Sequence, residues 1–196
     1  MDYIVHKIVN YPIDSNCFVI YKKYDFFCIV IDPGSENNEE LISFFEKENI
    51  YPSYIILTHE HFDHILGANS LKEIYNSKIV CSEICSELIS NSKKNLSLFY
   101  KNLDYKIKQV DILFKEQMEE LELNNIKIKL YQTPGHSKAS IAIEIGNHLF
   151  VGDTIINEKK TVTKLPGGDK EALIKSIDLI NKLSINTIKY IHPGHG

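Results

Sequence analysis

Arginine is absent: all 22 basic residues of this 196-residue chain are lysine. The planar fork that grips a carboxylate or phosphate at two points is therefore missing, and any anionic ligand must be met by point charges. Dense positive charge is missing as well. The formal net charge is −4 and no cationic stripe interrupts the sequence, which argues against a nucleic-acid partner or an anionic membrane surface. No apolar run approaches the roughly 18 residues of a bilayer span, and MDYIVHKIVNYPID at the start has no basic leader ahead of a long apolar stretch. The chain reads as soluble and cytoplasmic. Cysteine is sparse. Cys17 and Cys28 fall in apolar, strand-like runs, and Cys81 and Cys85 form a CxxxC at the start of a helical pattern. With no second pair to complete a zinc site, four scattered thiols read as reduced core residues. Linkers, composition shifts and low-complexity stretches are also lacking, so residues 1–196 read as a single domain.

What is present alternates between two kinds of pattern. DYIVHKI, NCFVIY and FFCIVID read as short strands, the last stopping at the loop signal Asp32-Pro33-Gly34. NNEELISFFEKEN places Leu41, Phe44 and Phe45 near helical spacing before YIILT returns as a buried strand, giving one β-α-β step. Ile65 to Tyr75 reads as a helix, KIVC as a short strand, and residues 83–108 as a Ser-, Lys- and Asn-rich segment that is helical in part. LEL and IKIKLYQT flank an Asn124-Asn125 turn, and SIAIEI and HLFVGDT flank Gly146-Asn147, two hairpins. Residues 169–183 set Leu173, Ile177, Ile180 and Leu183 on one helical face, and TIKYI is a last strand ending in HPGHG. Two β runs, each closed by helices, suggest two similar layers.

The stretch THEHFDHILG, residues 58–67, follows the apolar run YIIL. His59 and His61 alternate off a strand end while Asp63 and His64 open a helix, so four donors can face one point. A polar turn with Asp63 as a helix cap would explain one such residue. Burying three histidines and a carboxylate together costs several kcal/mol unless something coordinates or pairs them. Imidazole with carboxylate is a ligand set for zinc or iron. Further donors stand at strand exits: His136 in TPGHS, Asp153 in VGDT and His195 in HPGHG. Glu60, between two ligands on extended backbone, should face away from them. His6 and His148 sit in strand patterns that need no function, and His192 reads as the end of a strand.

This set resembles the metallo-β-lactamase superfamily over nearly the whole chain, with its HxHxDH motif standing as His59-Glu60-His61-Phe62-Asp63-His64. The resemblance implies an α+β fold, a four-layer αββα sandwich of two mixed β-sheets flanked by helices. It implies two divalent metal ions, zinc with iron or manganese as alternatives. His59, His61 and His136 would hold the first, Asp63, His64 and His195 the second, and Asp153 would bridge them. Asp32 in IDPG matches an early aspartate that supports a ligand without being one. Asp63 and Asp153 would be the catalytic carboxylates. Asp153 disfavours the antibiotic-hydrolysing lactamases that have a cysteine among the second-metal ligands, and with them penicillin as a substrate.

TPGHSKASIAI, VGDTI and LPGGDKEALIKSI follow the order of the short glyoxalase II-like thioester hydrolases. The usual Gly-Arg-x-Asp before the LPGGD-like run is here Thr161, Val162, Thr163 and Lys164, so glutathione specificity is not implied. Two bridged dications would lower the pKa of a shared water and polarise an acyl carbonyl. A thiolate of pKa near 8.5 leaves without a strong acid; an ester or lactone would need help, from Tyr100, Tyr105 or a metal. Lysines and aromatics near residues 93–108 and 158–164, notably Lys159, Lys160 and Lys164, are candidates to contact a small-molecule substrate. Three other readings differ in class: a persulfide dioxygenase with one iron on His59, His136 and Asp153; a non-catalytic binding module, opposed by the complete donor set; and a nuclease, opposed by the acidic balance.

Overall fold

A computed structural model describes residues 3–185 and 187–196. Its elements run β1 (Tyr3–Val9), β2 (Asn16–Lys22), β3 (Phe27–Ile31), α1 (Glu39–Glu48), β4 (Tyr51–Ile56), α2 (Phe62–Ile65), α3 (Ala68–Tyr75), β5 (Lys78–Ser82) and α4 (Glu83–Ile89). After a 3-10 turn at Ser97–Phe99 come β6 (Ile112–Phe114), β7 (Met118–Leu123), β8 (Ile126–Gln132), β9 (Ile141–Ile145), β10 (His148–Gly152), α5 (Lys170–Ser184) and β11 (Tyr190–Pro193). One sheet has the order β1-β2-β3-β4-β5-β6 and the other β11-β10-β9-β8-β7. Both are mixed: β1, β2 and β3 pair antiparallel while β3 to β6 pair parallel, and the antiparallel second sheet ends in a parallel β10–β11 pair.

Strand periodicity explains the layers. In β2 and β3, Phe18, Ile20, Ile29 and Ile31 face the second sheet, where they meet Leu130, Ile143 and Phe150. The alternate residues Val19, Cys28 and Val30 face outward and are covered by Leu41 and Phe45 of α1 and Leu71 of α3. Across the molecule, Ala142, Leu149 and Val151 take Ile180 of α5. Three apolar seams therefore separate four layers, helix, sheet, sheet and helix, and the expected αββα sandwich is what the chain adopts. All four cysteines are free and buried, and all pack in the first of these seams.

Both predicted hairpins form. Asn124 and Asn125 take φ of 49° and 59°, the left-handed pair that a two-residue turn matching strand twist requires. The α5 helix starts where Asp169 Oδ1 accepts from the amides of Glu171 and Ala172, at 2.8 and 3.0 Å, an N-cap that satisfies two otherwise unpaired donors.

Two expectations are corrected. The helix read over 65–75 is two, α2 and α3, broken at Gly67, whose amide donates to Pro33 O at 2.7 Å and which lies against Asn38. The last strand begins at Tyr190 rather than at Thr187. The 83–108 segment is helical in part, as its sequence suggests: α4 covers Glu83–Ile89, and beyond it there is only the three-residue 3-10 turn, since polar side chains bond the local backbone, Asn95 Nδ2 donating to Tyr105 O and Ser97 N to Asn95 Oδ1. β6 was not foreseen; three residues carry too little periodicity to register. Asp2, placed in the first strand by its sequence, lies outside the described residues.

Candidate metal centre

The donors singled out in the sequence are carried to one edge of the sandwich by strand exits. Past β4 come His59 and His61, and the first turn of α2 adds Asp63 and His64; the second sheet supplies His136 beyond β8, Asp153 beyond β10 and His195 beyond β11. His61 Nδ1 lies 3.1 Å from His59 Nε2 and 2.9 Å from His136 Nε2. A ring nitrogen has one lone pair or one proton, so it cannot complete both contacts as hydrogen bonds. Three nitrogens so spaced suit a common cation, because Zn–N bonds near 2.0–2.1 Å at a tetrahedral angle put ligands ~3.4 Å apart.

A second group, Asp63, His64 and His195, also has its donor atoms within 4.8 Å of one another. Asp63 Oδ2 is 3.7 Å from His64 Nε2 and 3.4 Å from His195 Nε2. Asp153 touches both groups: its Oδ2 is 3.5 Å from His136 Nε2 and 3.4 Å from His195 Nε2, and its Oδ1 is 3.4 Å from His64 Nε2. Backbone must come very close here. A Cβ on Gly194 would stand 2.1 Å from Asp153 Oδ1.

Asp32 lies behind these donors. Its Oδ1 accepts from Thr58 N at 2.8 Å, and its Oδ2 accepts from Thr58 Oγ1 at 2.5 Å and faces His64 Nδ1 at 2.9 Å. The last contact keeps a proton on His64 Nδ1 and leaves Nε2 as the ring atom turned to the cluster. Asp32 is buried and left-handed, φ 52°, a conformation non-glycine residues hold only where the surroundings over-determine it. His136 is oriented by Val162 O, 2.8 Å from its Nδ1.

Protonation follows the same division. Burial, reinforced by the neighbouring imidazoles, pushes His59 well below the ordinary histidine range and His61 down to about 3. Burial also opposes charge on His64 and His195, but Asp153, Asp63 and, for His64, Asp32 outweigh it and raise them to about 9 and about 10. The first group thus offers neutral lone pairs and the second pairs carboxylates with imidazoliums whose place a dication can take. Three buried atoms, His61 Nε2, His64 Nε2 and Asp153 Oδ1, have no hydrogen-bond partner. Two of these face the cluster, and a coordinated cation there would satisfy them. The residues present fit the metal.

The sequence matches the family model described as the metallo-β-lactamase superfamily over residues 10–195. The chain belongs to that superfamily. It is 30% identical to a probable metallo-hydrolase of Methanocaldococcus jannaschii over 98% of this chain and 93% of the relative. It is 27% identical to BaeB of Bacillus velezensis, a probable polyketide biosynthesis zinc-dependent hydrolase, over 98% of this chain and 79% of that one. Among solved structures it superposes on the BLEG-1 B3 metallo-β-lactamase with a TM-score of 0.90 at 27% identity, covering 98% of this chain and 92% of the other.

Within this superfamily fold five of the seven donors, His61, Asp63, His136, Asp153 and His195, line a cavity of about 910 Å³. Of the substrate candidates, Lys159 lines it. Lys160 does not; it lines a separate pocket near Thr163 and Lys170. Lys164 lines neither. Tyr100 stacks on Phe62, ring centroids 4.9 Å apart, behind the wall. The expectation for Tyr105 is corrected: its hydroxyl donates to Ile65 O at 2.8 Å and accepts from Asn69 N at 3.3 Å, a strut joining the 93–108 segment to α2 and α3. Burial pushes its pKa up, so it is poorly placed to meet a leaving group. Glu60 does turn away from the donor groups, but inward: buried, it accepts from Ser137 Oγ at 2.5 Å. His148 and His192 pair with each other at 2.9 Å, and His6 stacks on Phe44.

Sequence reasoning missed the apolar part of the wall, Leu96, Ile156, Val162 and Leu165, and the carboxylates Asp14 and Glu158 at its rim. These come from three separate loops, within 10–15, 90–111 and 153–169, and carry no spacing that would mark them.

Proposed function

We propose that this chain hydrolyses small acyl thioesters with two divalent ions, one held by His59, His61 and His136, the other by Asp63, His64 and His195, and Asp153 between them. The observation that carries the reading is the convergence of His59, His61 and His136 and of Asp63, His64 and His195 into two groups with Asp153 against both, where His64 Nε2 and Asp153 Oδ1 are buried without hydrogen-bond partners. The similarity to a probable metallo-hydrolase and to a probable zinc-dependent hydrolase supports metal-dependent hydrolysis. When bound, such ions lower the pKa of water toward neutrality and polarise a carbonyl.

The chain's own residues supply the rest. Asp63 and Asp153 offset the positive charge of the site, Asp32 orients His64, and Val162 O orients His136. Among the described residues, the cavity offers no histidine or tyrosine beyond the donor set as a general acid. That favours a leaving group that departs as a stable anion, which a thiolate does and an alkoxide does not.

The test is metal content together with turnover. Protein reconstituted with zinc, iron or manganese should bind two ions per chain and hydrolyse a small thioester faster than an ester, a lactone or a β-lactam. One iron per chain with sulfite formed from a persulfide would replace this reading with oxidation, and preferential opening of a β-lactam would replace the substrate. Asp153→Asn keeps shape but removes the shared charge. It should retain at most one tightly held ion and lose at least ~100-fold in kcat; two ions with near-normal turnover would overturn the bridging role.

A further inference from the structure

The cavity wall rising from the donor cluster is markedly uneven. Phe62 and Leu96 form one side and Val162 and Leu165 another. Val162 and Leu165 are 45% and 37% exposed, so their apolar surface is open to the cavity they line. Their loop is not free to fold them away, because Val162 O is bonded to His136 and Thr161 Oγ1 donates to Thr154 O at 3.2 Å. These apolar groups are thus held open beside the reacting position. Charge at the rim is equally lopsided. Lys159 is the one lysine lining the cavity among the described residues, and the carboxylates Asp14 and Glu158 line it too.

We propose that this cavity selects a thioester with an uncharged thiol arm and an apolar chain of several carbons, lying along Phe62, Leu96, Val162 and Leu165, and discriminates against glutathione-like arms that carry two carboxylates. The inference rests on the thioester reading for its chemistry but on the wall for its selectivity. A dicarboxylate arm would bring its charges to a rim with one cation and two anions, where no bidentate partner exists because the chain has no arginine. An alkyl chain gains by leaving water against four apolar side chains, and that gain grows with each methylene.

The experiment uses the zinc-loaded full chain and uncleavable thioethers, so that binding is read without turnover. S-propyl, S-butyl and S-hexyl N-acetylcysteamine should bind with affinity rising about three- to fourfold per added methylene, and S-hexyl N-acetylcysteamine should bind at least ~10-fold more tightly than S-hexylglutathione, which shares its apolar chain. Leu165→Lys should flatten the chain-length dependence, and Asp14→Lys with Glu158→Lys should narrow the gap to S-hexylglutathione. Tighter binding of S-hexylglutathione, affinity independent of chain length, or no saturable binding of the thioethers would each overturn the proposal. Turnover of the corresponding thioesters is measured beside it. Chain-length-dependent binding without thioester cleavage would overturn the thioester chemistry and leave the selectivity standing; cleavage with a preference for glutathione arms would do the reverse.

Discussion

Asp32 shows how much of the candidate metal centre rests on a residue outside the seven proposed donors. Its two oxygens receive Thr58 twice and face His64 Nδ1, so a neutral amide there would set a donor against donors. Asparagine tolerates left-handed backbone better than most residues, so Asp32→Asn tests the carboxylate without disturbing φ. Loss of such a support costs 10- to 100-fold in affinity as an order of magnitude. We expect Asp32→Asn to weaken the ion held by His64 by roughly that factor and the one on His59, His61 and His136 less, since Asp32 reaches His59 only through Thr58 Oγ1, 3.0 Å from His59 Nδ1, as read by competition with a chelating indicator. Equal weakening of both, or none, would contradict the orienting role. The donors themselves were legible because histidine and aspartate at HxHxDH spacing have few structural reasons to coexist. Val162 was not, since its backbone carbonyl orients His136 and no property of valine announces that.

At the scale of elements, legibility follows the length of the repeating pattern. β8, β9 and α5 each repeat long enough to be recognised, and the Asn124-Asn125 turn announces its hairpin by residue type. The break at Gly67 was hidden because the apolar spacing continues across it; the cause, close contact with Pro33 and Asn38, is tertiary. β10 and β11 illustrate a further consequence of register. Phe150 pairs with His192 and His148 with Tyr190, which lines up His148, Phe150 and His192 in a stack with Phe18 against the edge of His192. Burial, then the neighbouring His148, lowers His192 to about 4. A depressed histidine binds fewer protons folded than unfolded, so its contribution to stability is present above the unfolded value near 6.5 and is lost as pH falls toward 4. His192→Gln, compared with the parent by denaturant melts between pH 7 and 4.5, should show a shallower acid loss. An unchanged slope would mean that this pair does not titrate in that range.

For the whole molecule, the centre is a joint between the two sheets. Four donors hang from the first sheet and three from the second, beside hydrogen bonds that already cross the edge, among them Asn16 N to Gly194 O, Ile141 N to Thr58 O and Ser137 Oγ to Glu60 Oε2. Ions bound across it should hold the sheets as a cross-link, stabilising the folded state by mass action, about 2.7 kcal/mol at a hundredfold excess over Kd. For a chain of this size that is a rise of ~5–10 °C in Tm. The protonation of His64 and His195 makes the effect depend on pH with a definite sign. In the metal-free protein their folded values, about 9 and about 10, stand above the unfolded value near 6.5. Their contribution is therefore complete below pH 6.5 and is lost as pH rises through 9 to 10. Metal binding must displace those protons, so it strengthens over the same interval. Melting the chelator-stripped and zinc-loaded proteins at pH 7 and at pH 9 should show the gap in Tm widening with pH, as the stripped protein weakens and the loaded one does not. A gap that stays constant or narrows would show that these two histidines are not protonated in the metal-free fold. The exchange of two imidazolium charges for a cation would then be the wrong account of how this edge is held.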